Sequence, residues 1–214
     1  MKIKEIKALH KKLVKGNYPD VFFDLVWTHS KIVKDVALQL VKRLEKEGIT
    51  CNKKLVSEGA LLHDIGVYLC FDDELNPDQS LPKYLSHGHD GYDYLVKNGY
   101  SREVARFPLT HTGTGITAED IVRDKMPFKA VDVIPITLEE EIVCYADKFH
   151  TKYPSFNTFE EAKSRLEKFD KEKGVLMERF KKKFGLPNLD ILRTKYGNWH
   201  KKMDRFFSSK FPQS

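Results

Sequence analysis

Apolar residues recur at three- and four-residue spacing over almost all of this chain, which confines it to packed helices. Ile3, Ile6, Leu9 and Leu13 repeat in this way until Gly16 stops them. After a turn at Tyr18-Pro19-Asp20, an apolar stretch from Val21 to Trp27 leads into His29. Ile32, Val33, Val36, Leu40, Val41 and Leu44 then mark a helix ending at Gly48, so His29 is expected where a loop becomes a helix. Asn52 is placed to cap a helix through Leu55, Leu61 and Leu62 that ends near Gly66. A polar loop with two prolines, 72–83, follows. His87 to Asn98 reads as the next helix, stopped by Gly99, and Ser101 can cap another running to His111. Thr117 and Asp120 frame a short helix. Thr137 with Glu140, and Thr158 with Glu161, have the spacing of capping boxes, the second ahead of a charged helix pair ending at Gly185. One or two helices follow Pro187. No run of four residues alternates as a strand would. The expected fold class is all-α: an N-terminal helix over 1–19, one helical bundle over 20–155, and a helical extension over 156–214 packed on it.

A chain of 214 residues buries enough surface to hold a core without disulfides. Its three cysteines, Cys51, Cys70 and Cys144, are widely spaced with no CxxC pair, which points to a reducing compartment and away from a thiolate site. No apolar run approaches the ~18 residues of a membrane span, and the N-terminus alternates charge with apolar residues rather than building a signal core. The expectation is a cytoplasmic protein with no membrane partner. The formal charge of +6 raises the question of nucleic acid. Counted as Lys+Arg minus Asp+Glu, residues 1–50 carry about +5, 51–150 about −7 and 151–214 about +8. The middle is therefore acidic, and the C-terminal basic residues interleave with Glu at helical spacing, as a solvated helix face does. That pattern argues against a nucleic-acid footprint.

Six of the eight histidines lie between residues 29 and 150, and they sit near element ends. His63-Asp64 closes a helix before Gly66, His87 opens one, and His111 stands directly before Thr112-Gly113-Thr114-Gly115. Asp147 follows the apolar Ile142, Val143 and Ala146, and a buried Asp is costly unless it is paired or binds a metal. Imidazoles are the neutral ligands around such a cation. Together with carboxylates they suit iron, manganese, zinc, nickel or cobalt better than calcium or magnesium alone. Neighbouring residues stand about 100° apart on a helix, so His63 and Asp64 reach one centre only if the helix ends there, as Gly66 suggests. A carboxylate with two oxygens can then bridge two metals.

These residues resemble the HD-domain metal-dependent phosphohydrolases. The resemblance rests on His29, on His63-Asp64 after Ala60-Leu61-Leu62, and on Asp147 within Tyr145-Ala146-Asp147-Lys148. His63-Asp64-Ile65-Gly66 is the tetrapeptide of the HDIG subgroup. His87-Gly88-His89-Asp90-Gly91 and His111-Thr112-Gly113 resemble the members that add two histidines for a second metal. Over residues 25–155 the resemblance implies a single HD-domain helical bundle. It implies a first metal on His29, His63, Asp64 and Asp147, with Asp64 bridging to a second on His87 and His111. His87 rather than His89 matches the family's spacing to Gly91. The cyclic-dinucleotide phosphodiesterases carry a Lys where Val67 stands, and the alarmone hydrolases carry a further Glu-Asp pair, so neither substrate transfers.

The implied activity is hydrolysis of a small phosphate ester. It would use two divalent or transition ions (Fe, Mn, Zn, Ni, Co or Mg), with Asp64 bridging them and orienting the attacking water. Lys148, His89 and His150 are the candidates to meet the substrate or donate a proton; His10 and His200 are read as structural. The same ligand order occurs in the di-iron oxygenases of this fold, which resemble inositol and phosphonate oxygenases, and that chemistry is the alternative. A non-catalytic binding module is a third reading, weakened by the retention of all six ligands. Phe206, Phe207 and Phe211 are expected to dock on the core or on a second subunit, as in a homodimer.

Overall fold

A computed structural model describes residues 2–70, 84–152 and 155–210; the expected loop at 72–83 and Phe211 lie outside the described residues. The helices are α1 (Ile3–Leu13), α2 (Pro19–Lys46), α3 (Lys53–Leu62), α4 (Val67–Cys70), α5 (His87–Lys97), α6 (Arg102–Thr110), α7 (Ala118–Arg123) and α8 (Leu138–Asp147). An antiparallel pair of two-residue strands follows, β1 (His150–Thr151) and β2 (Ser155–Phe156), with His150 opposite Phe156. α9 (Phe159–Glu167), α10 (Lys171–Phe184) and α11 (Leu189–Lys210) complete the chain. The fold is all-α, as the apolar spacing requires. No described helix is long and apolar enough to cross a membrane.

Most helix ends follow the local chemistry of the sequence. The Asn52 side chain accepts from the Leu55 N–H and the Ser101 hydroxyl from the Val104 N–H, each satisfying a donor the helix cannot use. Thr117 with Asp120 and Thr158 with Glu161 form reciprocal boxes. Thr137 does accept from the Glu140 N–H. Its box stays open, however, because the Glu140 carboxylate turns to Arg106 (2.6 and 3.1 Å) and to the Ile136 N–H. A bidentate guanidinium pair holds a buried carboxylate better than one backbone donor does, and here it ties α6 to α8.

The second difference concerns α2. Pro19 occupies its first turn, where a missing N–H costs nothing, and the helix then runs unbroken for 28 residues. Phe22, Leu25 and Val26 are buried at helical spacing, so the stretch before His29 is helix rather than loop. His29 lies between two apolar patches of one helix. Phe22, Val26 and Trp27 pack with Ile6, Leu62, Ile65 and Leu95, whereas Ile32 to Leu44 pack with α8 and with Phe180 and Phe184 of α10. The polar cluster described next therefore sits at the seam of two hydrophobic cores. At α11, Met203 and Phe207 pack on Leu25, and Phe206 meets the Tyr18 ring edge-on at 5.4 Å. Those two aromatics dock on their own chain.

Candidate metal centre

α3 stops at Leu62, and residues 63–66 form a turn before α4 begins. His63 keeps helical dihedrals as the cap of α3, the chain turns after it, and the adjacent His63 and Asp64 both face inward and are fully buried. Gly66 is required by the packing: a Cβ there would lie 1.9 Å from the His87 carbonyl oxygen and 2.6 Å from the Gly91 nitrogen. The turn thus rests directly on the first turns of α5, which carries His87 to Asp64. His111 caps the C-terminal end of α6, and Asp147 is the last residue of α8.

Seven donor atoms from six residues converge. His29 Nε2 lies 3.2 Å from His63 Nε2, 3.2 Å from Asp64 Oδ2 and 3.1 Å from Asp147 Oδ1. His63 Nε2 is 3.4 Å from each of those two oxygens. On the other side of Asp64, Oδ1 is 3.3 Å from His111 Nε2 and 3.6 Å from His87 Nε2, and the two imidazole nitrogens are 3.0 Å apart. Donors at about 2.0–2.2 Å from a transition ion stand roughly 3.0–3.4 Å from one another, so both groups have the spacing of a coordination shell. The two Asp64 oxygens point to different groups.

The Nε2–Nε2 contacts need a physical cause. His63 donates Nδ1–H to the Ala60 carbonyl (2.8 Å), His87 to Tyr84 (2.5 Å) and His111 to Pro108 (2.7 Å). His29 Nδ1 meets His150 Nδ1 at 2.8 Å, and His150 Nε2 meets His200 Nε2 at 3.1 Å. With the proton on Nδ1, each Nε2 presents a lone pair, and two lone pairs 3.0–3.2 Å apart repel. A metal ion between them, or a proton on one of the two nitrogens, turns that arrangement into an attraction. Both Asp64 oxygens are also buried without a hydrogen bond of good geometry. Without a metal, the electrostatics put positive charge on His63 in its place. Burial works against the charged form of His63, but Asp64 and Asp147 overcome it and raise the group to about 9. Burial and the neighbouring His111 push His87 down to about 3, and burial also lowers His111. Burial opposes the charge of Asp64, and Lys152 with His63 more than offsets it, holding the carboxyl well below its usual range. The donor set, four imidazoles and two carboxylates, fits divalent transition ions.

A cavity of about 210 Å³ opens beside His29 and Asp147, and Lys148 and His150 line it. Lys148 Nζ bridges Asp147 Oδ2 (2.7 Å) and the His111 carbonyl (2.9 Å). His89 is not among the lining residues; two positions from His87 on α5 it faces away, and its ring stacks on Phe128 with centroids 4.2 Å apart. His10 is structural, buried between the Leu61 carbonyl (2.8 Å) and the Tyr68 hydroxyl (3.1 Å). Two participants escaped sequence reasoning. Lys152 Nζ lies 2.7 Å from Asp64 Oδ2 and 2.5 Å from the Tyr84 hydroxyl. His200 reaches the centre through His150. No local pattern marks Lys152, which stands in the turn after β1 and meets its partner on another element.

The HD domain family profile matches residues 26–152, more than half of the chain. An uncharacterized protein of Methanocaldococcus jannaschii is 34% identical over 126 residues, covering 58% of this chain and 66% of that protein. A tRNA (cytidine(56)-2'-O)-methyltransferase of Picrophilus torridus is 33% identical over 124 residues, again 58% of this chain but 31% of the enzyme. The chain thus spans about a third of one relative and just under two thirds of the other. Among solved structures, the HD domain of the L. monocytogenes phosphodiesterase PgpH superimposes with a TM-score of 0.47 and 22% identity, over 74% of this chain and 82% of that one.

Proposed function

The chain belongs to the HD domain family, and on that premise we propose that it is a metal-dependent phosphohydrolase acting on a small phosphate ester. His29, His63, Asp64 and Asp147 would hold one cation, and Asp64, His87 and His111 a second. The observation that carries this reading is the convergence of imidazole lone pairs on the two Asp64 oxygens, with the far nitrogen of His63, His87 and His111 committed to a carbonyl. When bound, such a cation pair supplies Lewis acidity toward phosphoryl oxygens and makes hydroxide available near neutral pH.

The chain's own residues do the rest. The backbone carbonyls of Ala60, Tyr84 and Pro108 fix three imidazoles in the tautomer that offers Nε2. His150 does the same for His29, so its role is to hold a ligand in place as well as to line the cavity. Lys148 joins the ends of α6 and α8 and keeps Asp147 aimed inward. Burial of the cluster excludes bulk water and strengthens each charge interaction. The test is purification under nitrogen and under air, elemental analysis, and assay with 4-nitrophenyl phosphate. The proposal expects about two transition ions per chain and metal-dependent release of 4-nitrophenol. Iron with a mixed-valent paramagnetic signal and no phosphatase activity would replace the hydrolase with an oxygenase.

A further inference from the structure

The cavity beside the cluster is more basic than ligand binding by metals alone requires. Lys148, Lys152 and Arg165 line it, against the carboxylate of Asp147 at its wall and that of Asp64 behind Lys152. Lys152 is the unusual member. It follows β1, its ammonium reaches inward to Asp64 and Tyr84, and its side chain is 20% exposed on the cavity side. An ammonium has three donors, of which these contacts use two. Lys148 likewise has two of its three directed at Asp147 and the His111 carbonyl. Arg165, on α9 at the rim, forms no ion pair within 4 Å among the described residues, so its planar fork is available to a ligand. A guanidinium and two ammoniums around one recess, each with donors to spare, are a receptor for a multiply charged oxyanion.

We propose that this recess seats the phosphoryl group of a small phosphate monoester dianion, with Lys152 and Arg165 as its protein ligands. The proposal rests on the phosphohydrolase reading and narrows its substrate class. Two features favour a monoester over a diester or a nucleic acid. A dianion answers the positive charge of the three basic side chains together with that of the cation pair on which the phosphohydrolase reading rests, whereas a diester carries one charge fewer. A volume of about 210 Å³ also lies below the roughly 300–1,000 Å³ of sites for drug-sized ligands, leaving room for one short organic arm. In the reaction the P–O bond to the leaving oxygen breaks and a P–O bond to water oxygen forms. One water proton passes to the leaving oxygen, so an alcohol and hydrogen phosphate depart. Lys152 spans both partners: it touches the carboxylate shared by the two donor groups and faces the cavity, where it meets the phosphoryl oxygens.

The experiment titrates inorganic phosphate into the metal-reconstituted full chain by calorimetry, alongside K152Q, R165Q and, as a control for net charge, K42Q. Losing a charged hydrogen bond predicts roughly 10- to 100-fold weaker phosphate binding in K152Q. A rim cation predicts about 3- to 10-fold in R165Q, and K42Q should match the parent chain. The same preparations are compared on 4-nitrophenyl phosphate and bis(4-nitrophenyl) phosphate, with a kcat/KM preference of at least about tenfold for the monoester expected in the parent and a smaller one in R165Q. Elemental analysis of every sample separates the two readings. A chain that takes up no metal defeats the phosphohydrolase proposal, yet R165Q should still weaken phosphate binding to it. Full metal content with unchanged phosphate binding in both K152Q and R165Q, or a preference for the diester, overturns the subsite. R165Q touches no proposed metal ligand, so it decides the matter even if K152Q disturbs metal uptake.

Discussion

The two halves of the candidate centre are built differently. The His29, His63 and Asp147 half draws its donors from α2, from the turn that follows α3 and from α8, and the faces of these helices form the larger hydrophobic core. The His87 and His111 half comes from α5 and α6, sequence neighbours whose positions depend on glycine contacts. Gly91 allows α5 to approach the Pro108 side chain, and Gly66 lets the shared turn rest on the His87 carbonyl. One half is thus held by buried area, at about 1.5–3 kcal/mol per large apolar side chain, and the other by local steric fit. The contrast teaches that the halves should fail separately, except where Asp64 joins them.

The largest effect belongs to that joint. Asp64→Ala removes an oxygen from each group, and we expect metal content to fall from about two ions per chain to near zero, with phosphatase activity down at least ~100-fold. Retention of one full equivalent would show that the halves do not share a ligand. Gly66→Ala comes next. Its new Cβ would meet backbone rather than a movable side chain, so α5 must shift. Overpacking of this kind costs about 1–3 kcal/mol, and one of the two ions should be lost while the His29-side ion stays. Elemental analysis with thermal unfolding reads both; loss of the His29-side ion instead would reverse the contrast.

His150→Phe probes the opposite half. It removes the acceptor for the His29 Nδ1–H, and such partners are worth about 10- to 100-fold in metal affinity. Competition with a chelator should find one ion weakened and the other unchanged. The smallest effect concerns the brace under the shared turn. Burial lowers His10 to about 4, against about 6.5 for an exposed histidine. Between those values the unfolded chain binds a proton that the folded chain refuses. The contribution is therefore complete above pH 6.5 and is lost as the pH falls toward 4, by roughly 3 kcal/mol at most. Urea unfolding of the metal-free chain at pH 7 and pH 4.5 should show a loss to which the buried His87 and His111 add in the same direction, and His10→Gln should make it smaller by the His10 share.

Much of this was legible in the residues because local rules governed it. Apolar spacing and caps at Asn52, Ser101, Thr117 and Thr158 located the helices, and the six donors stand together as their order along the chain suggested. What escaped was decided by tertiary partners. Whether Val21–Trp27 is loop or helix depends on the core that covers Phe22 and Val26, and the fate of Glu140 depends on Arg106, 34 residues away. Lys152 was invisible for the same reason, since its partner Asp64 lies on another element. His87 was preferred to His89 on its spacing to Gly91, and in space the helix face separates them.

The shared-carboxylate claim is tested most directly by anomalous diffraction from crystals of the protein loaded with manganese or cobalt. Two peaks are predicted, one among His29, His63 and Asp147 and one beside His87 and His111, each in contact with a different oxygen of Asp64. A single peak that leaves His87 and His111 without a metal, or no peak against Asp64, would contradict the account.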